Sequence, residues 1–401
     1  MFTITHKDKK SLARTGILKT PHGNIETPIF IPVATQATVK ALDSKDLELL
    51  GASVLLANTY HLHLRPGEKL VKSMGGLHGF MHWNKPIFTD SGGFQAFSLG
   101  FGMEHNIGKI ASMFPVPHSI GMPGRKKLAV VTEQGVEFKS HLTGEKIVLT
   151  PKISMQIQRD LGADIILAFD ECTSPLSDYA YTKKALVRTH RWAKESLAAR
   201  RNAKQQLFGI IQGGEYKDLR LKSASFIASL SFDGFAVGGS LGKSKKDMHK
   251  ILEWVIPVLN QKNTEKPRHL LGIGGVDDLF ECVERGIDSF DCVAPARIAR
   301  RGNLYVHPPA GTMKNKFVIN IENAKYKADK NPIDDQCTCP TCRSYSRAYL
   351  RHLFVAQELS YYRLATLHNL HFILRLMEEI RASIRNCTFA RLKKTWISNH
   401  T

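Results

Sequence analysis

Eight short apolar runs constrain what this chain can fold into. They fall at residues 29–33, 53–57, 86–89, 164–169, 207–211, 234–237, 269–272 and 287–290. Between most of them lie segments with the 3.6-residue periodicity of helices, at 44–50, 68–74, 151–161, 178–202, 217–230, 245–259 and 276–285, with Pro151 suited to a first helical turn. Runs this short and this apolar, alternating with helices, are the pattern of a parallel sheet covered on both faces. Eight such units close on themselves, so the expected fold class is α/β, a (β/α)8 TIM barrel.

In such a barrel the C-terminal ends of all strands face one mouth. Here nearly every run ends in residues able to do chemistry or to admit a ligand: NTYH from Asn58, TDSGGFQ with Asp90, FDECT with Asp170, IQGG with Gln212, VGGS with Gly238, GIGG from Gly272 and FDCV with Asp291. Glycine has no Cβ, so repeated diglycines let a flat ligand approach the backbone. Asp291 ends the last run, a Pro-containing turn is expected after it, and Arg297, Arg300 and Arg301 follow closely. Guanidinium groups so near an acid suit a substrate that carries phosphates.

Asp90, Asp170 and Asp291 thus share the expected mouth. Exchange at an anomeric carbon with retention needs one carboxylate to attack and another acid or base to serve the leaving and arriving groups. Asp170, Gln212 and the backbone at Gly238 and Gly239 offer donors and acceptors suited to a purine edge, and Phe94 offers a stacking face. His61 and His63 spell H-x-H, but a metal site there needs further imidazoles at later strand ends, where Gln212, Gly238 and Gly272 stand. They are expected to line the mouth and to pack.

The chain has 401 residues, and Lys plus Arg outnumber Asp plus Glu by 56 to 36, a net charge of +20 that favours a polyanionic partner. It shows neither an apolar run of about 18 residues nor a charged-then-apolar leader, so a cytoplasmic protein without a membrane span is expected. Of seven cysteines, Cys172, Cys282, Cys292 and Cys387 stand alone, while Cys337, Cys339 and Cys342 form C-x-C-x-x-C. With His368, or His371 one helical turn on, they make a closed Cys3His set of the structural zinc kind, fitting a reducing compartment. The expected organisation is a catalytic barrel over 1–308 and a basic, helical zinc-binding subdomain over 309–401. A Gly-, Pro- and Met-rich loop at about 99–132 interrupts the barrel, followed by an expected hairpin at 135–141 and 145–149.

DSGGFQ at Asp90, FDECT at Asp170, IQGG at Gln212, DGFAVGG at Asp233, FDCVAPAR at Phe290 and CTCPTC at Cys337, taken together and in order, resemble tRNA-guanine transglycosylase of the bacterial type, the queuine tRNA-ribosyltransferases. The resemblance runs from about residue 16 to about residue 371. It implies a pentosyltransferase that exchanges the wobble guanine of G-U-N anticodon tRNAs for a 7-deazaguanine, towards queuosine. It also implies double displacement through a covalent Asp-ribosyl intermediate, a homodimer, and one structural zinc per chain. Carried over, Asp291 matches the nucleophile and Asp90 the general acid/base. Asp90, Ser91, Gly92, Gly93, Phe94, Asp170, Gln212 and Gly239 match the base-binding set. Gly272, Ile273, Gly274, Gly275, Val276, Asp277 and Asp278 match a tRNA-contacting loop, and Ala296, Arg297, Ile298, Ala299 and Arg300 match the segment that reads the anticodon. Cys337, Cys339, Cys342 and His368 match the zinc ligands, which decides against His371.

Three departures stand out. Ala296 replaces the usual threonine, the 99–132 loop is longer than the family pattern, and Ser240, Leu241, Gly242 and Lys243 replace a longer segment that ends in glutamate. A shorter wall without that carboxylate is expected to let the enzyme tolerate or prefer the bulkier queuine; the alternative is that 7-aminomethyl-7-deazaguanine is still used, with Glu104 as counter-charge. Two other classes compete. A catalytically inactive tRNA-binding paralogue would lack Asp291 or Asp90, and a retaining N-glycoside hydrolase would need neither the zinc module nor the positive charge.

Overall fold

In the computed structural model, which describes residues 1–94, 129–140, 142–202 and 204–397, all eight apolar runs are strands of one closed barrel. The chain opens with an antiparallel sheet, β1 (Phe2–Lys7), β2 (Arg14–Thr20) and β3 (Gly23–Thr27). It then enters the barrel through β4 (Ile29–Ala34), β5 (Leu55–Ala57) and β6 (Ile87–Thr89). After an antiparallel excursion, β7 (Ala129–Val131), β8 (Val136–Lys139) and β9 (Lys146–Leu149), the barrel resumes with β10 (Ile165–Leu167) and β11 (Gln206–Ile211). It continues with β12 (Gly234–Val237), β13 (Arg268–Leu270) and β14 (Ser289–Cys292). Closure is the parallel pairing of β14 with β4, Ser289 opposite Ile29 and Asp291 opposite Ile31.

Strand residues divide by parity, as a pleated barrel requires. Ile29, Ile31, Leu56, Phe88, Ile165, Leu167, Phe208, Ile210 and Ala236 form one buried cluster, the barrel interior. Their neighbours Phe30, Leu55, Ile87, Ile166, Leu207, Phe235, Val237 and Phe290 belong to a second, larger cluster that packs against the surrounding helices. Those helices are α1 (Ser44–Leu49), α2 (Thr59–Leu64), α3 (Glu68–Ser73), α4 (Gly76–Met81), α5 (Pro151–Leu161), α6 (Tyr179–Ala199), α7 (Lys217–Ala228), α8 (Lys245–Asn263) and α9 (Val276–Glu284). Local signals start and stop several of them. Thr150 caps α5 ahead of Pro151 and left-handed Gly162 ends it, while Ser244 and Asp247 form a capping box on α8.

Polar groups fasten the N-terminal end of the barrel. Arg14 makes a buried two-point contact with Asp288, 2.9 Å from Nε and 2.6 Å from Nη2, and Asp288 also accepts from the amide of Arg268. Asp164 accepts from the amide of Ile87 at 2.9 Å, and two stacked imidazoles face its carboxylate, His22 at 2.7 Å and His78 at 3.2 Å.

The structure departs from the sequence expectations in places. The expected turn after Asp291 is a short helix, α10 (Ala294–Ala299), with Pro295 in its first turn, where its missing N–H costs nothing. The expected two-stranded hairpin is three-stranded, because β7 falls within the end of the stretch expected as loop; His141, Gln95 and Glu104 lie outside the described residues. The helix expected to reach residue 202 ends at Ala199.

Beyond the barrel, β15 (Asn303–Tyr305) pairs antiparallel with β16 (Val318–Asn320), and α11 (Pro340–Ser344), α12 (Arg347–Val355), α13 (Leu359–Arg385) and α14 (Phe389–Ile397) follow. Within α13, Leu367, Leu370, Ile373, Leu376, Met377 and Ile380 belong to the same cluster as the outer faces of the barrel strands.

Candidate active site and metal centre

Asp90 follows β6 directly. Its carboxylate accepts from the Asn58 side-chain amide and, at 2.8 Å, from the backbone N–H of Thr59, while the Thr59 hydroxyl donates to the Asp90 carbonyl. Asn58 also caps α2. Asp90 is therefore seated on the start of a helix, which explains why NTYH follows the second barrel strand.

Next to it lies a buried polar pair. Asp170, 5% exposed, accepts from Ser91 Oγ at 3.0 Å and from Gln212 Nε2 at 2.6 Å. The other end of the Gln212 amide, Oε1, is buried with no hydrogen-bond partner among the described residues. An orphan acceptor of this kind marks a place for a ligand N–H. Two glycines make the room: a Cβ on Gly93 would lie 2.5 Å from the Asp170 carbonyl, and one on Gly239, where φ is +74°, would lie 1.8 Å from Gln212 Oε1. Gly92 also takes a positive φ, and half-buried Phe94 follows in helical conformation.

Asp291 lies within β14, on the parity of the barrel interior. Its Oδ1 accepts from the Gly272 amide at 2.8 Å and faces His269 Nε2 at 3.1 Å, and His269 Nδ1 lies 3.0 Å from Ser289 Oγ. The structure thus places Asp90, Asp170 and Asp291 at C-terminal ends of barrel strands, as expected.

The RNA-binding candidates divide between surface and interior. Ile273, Gly274, Val276, Asp278, Ala296 and Ala299 are buried, while Gly272, Gly275, Asp277, Arg297, Ile298 and Arg300 are half-buried. Lys245 bonds Asp277 and lies 3.0 Å from Asp278. Burial, then the neighbouring Asp277, pushes the Asp278 carboxyl up. The Arg300 guanidinium donates to the Ala296 carbonyl at 2.8 Å.

Sequence reasoning missed Arg220. On α7 and wholly buried, its guanidinium donates to the carbonyls of Gly214 at 2.8 Å, Ile211 at 2.9 Å, Gly238 at 3.1 Å and Ser240 at 2.5 Å. It clamps together the two loops that carry Gln212 and Gly239. Burial pushes its pKa down to about 9. The only sequence signal is an arginine on the apolar face of an amphipathic helix.

The model of the queuine tRNA-ribosyltransferase family matches residues 8–401. The chain belongs to this family. It is 58% identical over 391 residues to a putative queuine tRNA-ribosyltransferase of Archaeoglobus fulgidus, covering 96% of each chain. It is 48% identical over 398 residues to a queuine tRNA-ribosyltransferase of Herpetosiphon aurantiacus, covering 99% of this chain and 92% of the relative. A relative named likewise from Caldanaerobacter subterraneus subsp. tengcongensis is 44% identical over 401 residues, 100% of this chain and 97% of that one. This queuine tRNA-ribosyltransferase family member is accordingly an enzyme, a pentosyltransferase.

The transferase also carries a metal-type cluster. The sulfurs of Cys337, Cys339 and Cys342 and one nitrogen of His368 all lie within 4.8 Å of one another, and all four residues are buried. His368 Nδ1 is 3.6 Å from Cys337 Sγ, 3.6 Å from Cys339 Sγ and 3.3 Å from Cys342 Sγ. A tetrahedral zinc with ordinary bond lengths sets sulfur and nitrogen ligands about 3.5 Å apart. His368 Nε2 donates to the Tyr305 carbonyl at 2.7 Å, which leaves Nδ1 as the ligand nitrogen. His371 Nδ1 lies 3.5 Å from Cys337 Sγ but is not in the group of four. The residues fit a closed metal site.

Proposed function

We propose that this transferase exchanges the wobble guanine of G-U-N anticodon tRNAs for a 7-deazaguanine. The Asp291 carboxylate attacks C1′ of the ribose, the C1′–N9 bond breaks, and its electron pair leaves with guanine, which takes a proton from Asp90. The incoming base gives its N9 proton to Asp90 and attacks C1′, and the ester bond breaks to restore the Asp291 carboxylate. Two inversions leave the configuration unchanged. Asp170 and Gln212 hold the base edge, with Gly239 giving access and Phe94 stacking.

What carries this reading is the gathering of Asp90, Asp170 and Asp291 at one end of a barrel in a chain that the family model matches from residue 8 onward. A catalytically inactive paralogue would lack Asp90 or Asp291, and a hydrolase would need no Cys3His module. Incubation with unmodified tRNA and candidate bases, followed by nucleoside mass spectrometry, tests the exchange. Asp291→Asn should abolish a denaturant-resistant enzyme–tRNA adduct, and an adduct that persists would move the role of nucleophile to Asp90.

For the incoming base, queuine is the proposal. Segment 240–243 has no carboxylate of its own, Leu241 is buried, and the nearby Glu215 carboxylate is engaged by Lys243 at 3.3 Å. Competition between queuine and 7-aminomethyl-7-deazaguanine for one tRNA decides, and a preference for the aminomethyl base overturns the choice. We further assign zinc to the Cys3His set, tRNA contacts to 272–278 and 296–300, a subdomain boundary near residue 308, and a homodimer in solution, the last checked by light scattering. With a net charge of +20, tRNA affinity should fall steeply with salt.

A further inference from the structure

We infer that His269, with its tautomer set by Ser289, is a positioning residue for Asp291; the inference rests on the reading of Asp291 as nucleophile. His269 and Ser289 face each other across the parallel β13–β14 pair, and Asp291 is two residues further along the same strand, on the same interior face. The imidazole is fully buried, its ring 5.5 Å from that of Phe88. An aliphatic side chain would fill this layer without any polar group to satisfy, as the isoleucines of β4, β10 and β11 do. Here both ring nitrogens have partners, Ser289 Oγ at 3.0 Å and Asp291 Oδ1 at 3.1 Å.

The partners fix the proton. An ionised carboxylate only accepts, so Nε2 must carry the hydrogen that faces Asp291, and Nδ1 then accepts from the Ser289 hydroxyl. Together with the Gly272 amide at 2.8 Å, two N–H donors meet on Oδ1 and set the rotation of the carboxylate. Holding the carboxylate in its attacking rotation serves both displacements, whereas stabilising its charge favours only the second. Both bonds are strongest to the free carboxylate, weaken when its charge is lost in the ribosyl ester, and return as the ester breaks. His269 therefore aids departure of the carboxylate in the second step more than attack in the first.

The test is a rapid-quench measurement of adduct formation from tRNA and of adduct breakdown on adding guanine, using His269→Leu, His269→Gln and Ser289→Ala with folding checked by circular dichroism. His269→Leu should slow breakdown about ten- to hundred-fold, the effect of one hydrogen bond to a charged group. Formation should slow less, so that a larger fraction of enzyme stands as adduct during turnover. The Gln side chain supplies an N–H in place of Nε2 and should restore most of the breakdown rate, and Ser289→Ala should shift partitioning in the same direction by less. An unchanged ratio of breakdown to formation in His269→Leu, or a Gln variant no better than Leu, overturns the inference. A wild-type enzyme that gives no adduct overturns instead the nucleophile assignment on which it stands.

Discussion

Gln212 Nε2 lies 2.6 Å from Asp170 Oδ2, so the amide gives one of its protons to a carboxylate and turns its own oxygen towards the space above Gly239. Gln212→Ala removes the donor and the orphan acceptor together. The KM for the free base should rise roughly ten- to hundred-fold, with tRNA affinity unchanged. Guanine exchange measured against base concentration reads the first, and filter binding the second.

Arg220 holds four backbone carbonyls at once. Arg220→Met takes the guanidinium from the buried Gly214, Gly238 and Ser240 carbonyls, while Ile211 keeps the Gly238 amide at 3.2 Å, and should cost roughly 3 kcal/mol or more of stability in urea unfolding. Base affinity should fall as the two loops lose their common anchor. Arg220→Lys, with a single ammonium for the same carbonyls, should lie between.

Purified protein should contain one equivalent of zinc per chain by plasma mass spectrometry, and His368→Ala should lose it. Metal removal should lower the melting temperature, because the thiolate ligands lose the ion that draws them together. A variant that keeps full metal content after His368→Ala would reassign the fourth ligand, with His371 as the nearest replacement at 3.5 Å from Cys337.

Acid should weaken the fold in part through His190, whose imidazole is stacked on Phe226 at 4.1 Å. Burial, then Lys222 and Lys194, pushes its pKa down to about 4. An unfolded imidazole titrates near 6.5, so the unfolded chain binds this proton first. The stabilisation is complete above about pH 6.5 and is lost as pH falls towards 4. His190→Phe should keep the stack and show a shallower fall in melting temperature across that window than the wild type.

The barrel strands were legible because strands buried on both faces read as unbroken apolar runs, and the Cys337–Cys342 spacing because metal ligands cluster locally. The sheet of β1 to β3 was not, since RTGILKT and GNIET are half polar, and the Arg14–Asp288 contact that ties the sheet to the barrel joins residues 274 positions apart. Asp90, Asp170 and Asp291 were candidates because they end apolar runs. Arg220 and His269 were not: a polar residue in a helical or strand pattern gains meaning only from what the fold sets opposite it, Ser240 for the one and Asp291 for the other. Spacing left His368 and His371 equivalent, and the group of four separates them.

Arg381, near the end of α13, donates to the carbonyl of Pro28 at the entrance to β4, across 353 positions of sequence. During synthesis the first barrel strand therefore leaves the ribosome long before the helix that covers its flank. Contacts so distant in sequence form slowly, and apolar surface waits uncovered until they do. The last packing step must wait until α13 has been synthesised. Chains that stop short of α13 would present that bare flank to chaperones and proteases, so truncated products should be cleared or aggregate rather than persist as free barrels.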